Sequence, residues 1–234
     1  MTKIVSFFDR IEFLRGKTKV YPWLESMGMS RGTVTGLKNG GMLSADNLSI
    51  IARAKNVNLN WLVSGEGAPY RVSAFADSES AIAHVHALGD EPWERITIVM
   101  VEQSSSFALI MQNPGSYDVA GKIFEYVISE TIIAPISTEI FDEINALKAV
   151  HRQAIEATYS DASALMSGWQ SARDFLSNAQ LAPSFVQEAI GAYNLNRSAK
   201  DNLSLADRIA RLDPDRKNRI LGYLDSIDPA KKME

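Results

Sequence analysis

The chain has 234 residues, 46% of them hydrophobic and 22% charged, with no cysteine and a net charge of −4. That length and composition suit one large or two small domains with buried cores. The missing cysteines exclude disulfides, thiolate catalysis and cysteine zinc sites, which fits a reducing compartment.

The charge is unevenly spread. Residues 1–70 carry nine Lys/Arg against five Asp/Glu, a balance of +4, and the remaining 15 basic and 23 acidic residues leave −8. A basic head on an acidic body is expected when only one part of a protein meets phosphate. No apolar run approaches the ~18 residues of a membrane span. The opening MTKIVSFFDRIEF mixes acidic residues into its apolar stretch, so no signal peptide is expected.

In chain order, residues 5–15 predict a helix with Val5, Phe8, Ile11, Phe13 and Leu14 on its apolar stripe, ended by Gly16. A short helix follows over 21–27, with Pro22 tolerated in its first turn. Met27-Gly28-Met29-Ser30 reads as a tight turn, Gly28 free to take positive φ and Ser30 capping a third helix over 31–39. Ser44 caps a fourth over 45–55, and a fifth spans 58–64 around Trp61 and Leu62. Both Trp23 and Trp61 are expected to be packed rather than stacked on bases.

Residues 71–80 read as a linker, followed by a helix over about 80–88 that carries His84 and His86. With no accompanying carboxylate or third histidine beside them, no metal site is expected. Residues 94–103 and 106–112 predict strands, Asn113-Pro114-Gly115-Ser116 a turn, and 122–133 a further strand or pair. From Ser137 the helical period returns: one long helix over 138–159, then shorter ones at 163–177, 183–193, 204–211 and 214–226. The fold class expected is α+β. A five-helix N-terminal domain (1–70) and a linker (71–80) precede a small antiparallel β segment (81–136) and a mainly helical region (137–234).

Residues 20–39 fit a helix-turn-helix template. Gly28 occupies the turn, while Val34 and Leu37 face inward and leave the opposite face of their helix free for a major groove. The string Met27-Gly28-Met29-Ser30-Arg31-Gly32-Thr33-Val34-Thr35-Gly36-Leu37-Lys38-Asn39-Gly40 resembles the core of lambda-repressor-like domains. The later Asn58-Leu59-Asn60-Trp61-Leu62-Val63-Ser64-Gly65-Glu66-Gly67 is similar to the fifth-helix ending of temperate-phage repressors. The likeness covers about residues 4–70, and Leu24 departs from the alanine common in the family.

The resemblance implies that Ser30, Arg31, Gly32 and Thr35 face base edges with Gly36 close to DNA. Arg31 is suited to bidentate pairing with guanine. Thr33 and Thr35 reach phosphate or a thymine methyl, while Lys38, Asn39, Lys17 and Lys19 hold the backbone. Gly32 and Gly36 each cost a helix about 1 kcal/mol relative to alanine, consistent with close approach to DNA. The implied partner is double-stranded operator DNA, bound by a homodimer or higher homo-oligomer in the cytoplasm, associated with the nucleoid. The β segment around 94–134, the C-terminal helices, or both are expected to form the assembly interface, which the apolar tail at 203–226 motivates. An antirepressor or other regulatory protein is the expected source of control.

Many phage repressors carry a serine–lysine peptidase that cuts an Ala-Gly bond, and Ala120-Gly121 is such a dipeptide. Ser129, Ser137, Ser160 and Ser163 lie in no Gly-Asp-Ser-Met-like string, and Lys148 falls in the predicted long helix. Neither catalysis nor a cofactor is expected. The alternative is an antitoxin-type autoregulator that binds a toxin through its C-terminal region.

Overall fold

A computed structural model describes residues 6–90, 92–102 and 104–178. Five short helices come first: α1 (Phe7–Arg15), α2 (Val20–Glu25), α3 (Arg31–Lys38), α4 (Ala45–Lys55) and α5 (Leu59–Ser64). The starts of α1, α3, α4 and α5 follow from capping: Ser6, Ser30 and Ser44 accept from backbone N–H groups three residues on, and Asn58 from Asn60. Ile11, Leu24, Ile51, Trp61 and Leu62 are sealed at their centre. Trp23 is buried there too. The Arg10 guanidinium is also buried, Nε donating to the carbonyl of Leu62 at 2.7 Å and Nη2 to that of Val63 at 2.8 Å. It ties α1 to the end of α5, whose carbonyls have no partner within the helix.

The rest is built on one sheet: β1 (Ser73–Ala74), β2 (Trp93–Val101), β3 (Ser106–Val119), β4 (Lys122–Pro135) and β5 (Ala149–Ala157), in the order β1-β4-β3-β2-β5. β2–β3 and β3–β4 are antiparallel, whereas β1–β4 and β2–β5 are parallel. α6 (Ser78–Ala87) and α7 (Thr138–Ala146) cover the face carrying Phe107, Leu109 and Met111. α8 (Tyr159–Met166) and α9 (Ala172–Asn178) cover the face carrying Ala108 and Ile110. Because both faces are covered, the central strands are apolar on alternate and intervening residues alike.

This arrangement overturns the expected small antiparallel segment followed by a mainly helical region. The sheet is five-stranded and mixed, and four of its strands occupy residues 93–157. The expected long helix over 138–159 ends at Leu147, which is extended (φ −56, ψ 146). The chain then runs as β5 in parallel register with β2, from Trp93↔Ala149 to Val101↔Ala157. Pairing with the open edge of β2, which buries Ala154 and Ile155, outweighs a local sequence with weak strand preference.

The expected turn at residues 113–116 lies inside β3, where Asn113↔Ile128 and Ser116↔Glu125 are paired. The reversal instead falls at Ala120-Gly121, both at positive φ (53 and 81), with Asp118 Oδ1 accepting from Gly121 N at 2.8 Å. Pro114 is tolerated because the register of β2 on β3 stops at Gln112, leaving only one neighbour strand beyond it. The Asn113 side chain bridges that end, accepting from Glu94 N and donating to the carbonyl of Pro92.

The helices expected at 183–193, 204–211 and 214–226, and the apolar tail at 203–226, lie outside the described residues. No helix among the described residues is long and apolar enough to cross a membrane.

The helical unit is joined to the sheet at several points. Tyr70 N donates to the carbonyl of Gly168 at 2.9 Å, Arg71 Nε to Asn56 Oδ1 at 3.1 Å, and Phe13 meets Trp169 edge-on at 6.0 Å. α4 also packs along β4.

Candidate nucleic-acid interface

α2, the turn and α3 are fixed by backbone bonds: Met27 N and Met29 N both donate to the carbonyl of Leu24, and Gly28 N to that of Glu25 at 2.9 Å. Gly28 has φ +82, a conformation that favours glycine. Ser30 then starts α3, its Oγ accepting from Thr33 N at 3.3 Å and lying 3.1 Å from Thr33 Oγ1. Val34 and Leu37 are 4% and 2% exposed and fasten α3 to the helical core.

The opposite face of α3 is uncovered. Ser30, Arg31, Gly32, Thr35, Gly36, Lys38 and Asn39 are all exposed, and Thr33 is half-buried. A Cβ on Gly36 would meet nothing within 4 Å, and one on Gly32 only Ser30 Oγ at 3.6 Å. Among the described residues nothing requires glycine at these two outward positions, so their small size leaves room for something outside. Thr35 Oγ1 donates to the carbonyl of Arg31 at 3.2 Å, one turn back along the helix.

Lys17 and Lys19, the latter immediately before α2, are exposed in the α1–α2 loop. Among the described residues, none of the side-chain ion pairs within 4 Å involves Lys17, Lys19, Arg31 or Lys38. Arg15, by contrast, is committed: it pairs with Glu12 and donates to the carbonyls of Gly16 and Thr18.

No family model, curated protein or solved structure matches the chain.

The structure therefore brings Ser30, Arg31, Gly32, Thr35, Gly36, Lys38 and Asn39 onto one open surface. Lys17 and Lys19 lie on the loop that leads into α2. Two contacts to this surface were not read from the sequence. The Arg31 guanidinium lies 5.6 Å from the centre of the Tyr21 ring, a cation–π contact that steadies it without consuming its hydrogen-bond donors. The spacing from α2 to the start of α3 could have suggested that pair. Phe124 and Val119 touch the turn at Gly28, and no local pattern signals a contact so distant in sequence.

His84 and His86 lie on α6, where residues two apart diverge. His86 Nδ1 is 2.8 Å from Glu143 Oε1 on α7. Among the described residues no group of three or more His, Asp or Glu is placed to hold a metal ion. Ala120-Gly121 forms the exposed hairpin turn, while Ser129 is buried on β4, its Oγ accepting from Gln112 Nε2 at 3.4 Å.

Proposed function

We propose that the chain is a sequence-specific DNA-binding transcriptional regulator of the prophage-repressor type, gripping operator DNA through α3 and acting without self-cleavage. What carries the reading is the outward face of α3. One row combines a bidentate donor (Arg31), small residues that permit close approach (Gly32, Gly36), hydroxyls (Ser30, Thr35) and a terminal cation (Lys38), all uncovered. A helix of that width and polarity fits a major groove, where Arg31 can pair with O6 and N7 of guanine. Lys17, Lys19, Lys38 and Asn39 then meet phosphates, setting register rather than sequence preference.

One such unit contacts a single half-site. A dimer or higher oligomer raises the effective concentration of the second unit and supplies operator occupancy. Control by a regulatory protein or ligand acting on the sheet portion completes the proposal. The bound protein is nucleoid-associated.

Selection of duplexes from a random pool by the purified chain, followed by footprinting, tests the reading. Enrichment of a short motif, with Arg31→Ala relaxing preference at a guanine and losing about 1–3 kcal/mol, is the expected result. Failure to enrich any motif, or an unaltered motif with Arg31→Ala, overturns it.

A further inference from the structure

The tip of the β3–β4 hairpin rests on the turn that precedes α3. A Cβ on Gly28 would lie 2.9 Å from Cε2 of Phe124 and 3.1 Å from Cγ2 of Val119, so both side chains sit against the bare backbone. Phe124 is itself held in place, its ring stacked against Tyr117 at 5.7 Å and overlain by Lys122 Nζ at 5.0 Å. β3 and β4 stay paired from Ser106↔Pro135 to Val119↔Lys122, so the tip is carried rigidly from the sheet. Past Gln112 no β2 residue pairs with β3, and this outer half of the hairpin leans on the helical unit instead.

The helices on either side of the turn are short. α2 has six residues and no side-chain cap, and α3 has eight, so neither is stable without tertiary packing. The hairpin tip has Asp118 and Glu125 against Lys122, which disfavours a role in binding phosphate directly. Its contact with the turn is apolar.

We infer that the β3–β4 hairpin is a clasp that sets the presentation of α3, with Phe124 as a positioning residue for DNA binding. Phe124 and Val119 fill the space beside Gly28 and fix the turn. The turn in turn fixes the direction in which α3 leaves Ser30, and so the angle at which Arg31 and Thr35 meet a groove. This purpose rests on the DNA-binding reading above; the clasp itself does not.

The full-length chain tests both. In amide hydrogen exchange, Phe124→Ala is expected to speed exchange of residues 27–34 about 10-fold, while α5 and the centre of β3 (108–111) keep wild-type protection. Affinity for a duplex selected by the wild-type chain is expected to fall about 10-fold. Phe124→Leu, which retains an apolar contact, restores both.

Unchanged exchange over 27–34 in Phe124→Ala overturns the clasp. Faster exchange with unaltered affinity overturns its role in positioning α3. Loss of protection throughout α5 and β3 makes Phe124 an ordinary stability residue and also overturns the inference. A wild-type chain that binds no duplex refutes the DNA-binding reading, and the exchange data alone then decide whether the clasp exists.

Discussion

Replacing Lys17, Lys19 and Lys38 together by alanine isolates the electrostatic part of DNA binding. All three ammonium groups are exposed and outside the ion pairs described above, so each is available to a phosphate without breaking an internal contact. Each phosphate neutralised releases condensed counterions and contributes about −0.9 to the slope of log K against log salt, giving about −2.7 for the three. Raising salt from about 50 to about 200 mM should then weaken that contribution about 40-fold per protomer. Fluorescence anisotropy of a labelled duplex, titrated at several salt concentrations, measures the slope directly. The triple variant should lose about 2.7 units per protomer, and Lys38→Ala alone about 0.9. Folding should be untouched, because these side chains make no buried contact. A triple variant whose slope stays within about 0.3 of wild type would refute the assignment of these lysines to phosphate.

Three other perturbations probe separate links. Ser30→Ala removes the cap of α3 and should lower stability by about 1 kcal/mol in urea unfolding, with a larger loss of DNA affinity than of stability; equal stability would mean the cap is idle. Arg10→Ala strips a charged donor from the carbonyls of Leu62 and Val63 and should destabilise the helical unit by roughly 3 kcal/mol, and a change under about 1 kcal/mol would contradict the role assigned to it. Burial, with a contribution from Asp174, pushes the Tyr70 phenol up to about 12, against an unfolded value near 10. The unfolded chain therefore releases this proton first. Stability from Tyr70 is complete below about pH 10 and lost, by roughly 2–3 kcal/mol, as pH rises through about 12. Urea midpoints of wild type and Tyr70→Phe should diverge across that window, and parallel curves would show that the phenol is not desolvated.

The helical unit was legible because its signals are local. Ser30 and Ser44 stand at helix starts, Gly28 at a turn, and Val34 and Leu37 at the inward spacing of a helix, so adjacent residues encode each feature. The outward row from Arg31 to Asn39 follows once the inward pair is placed. The sheet was less legible because its decisive contacts are not local. Val150, Ala154 and Ile155 permit a helical reading, and only the waiting edge of β2 makes that stretch a strand. Asn113-Pro114-Gly115-Ser116 has turn composition, yet a continuous partner strand keeps it extended while Ala120-Gly121 takes the positive φ angles. The contact of Phe124 with Gly28 joins two segments with no common periodicity, so composition and spacing carry no trace of it.

That contact also imposes an order on biosynthesis. α3 and its turn are translated by residue 40, but the residue that covers Gly28 follows about 84 positions later. At about 5–20 residues per second, the nascent helical unit spends roughly 4–17 s with that turn bare. During this interval the basic segment already exists while the acidic remainder is still being made. A chain truncated before residue 119 would keep the basic helical unit without the element that rests on its turn.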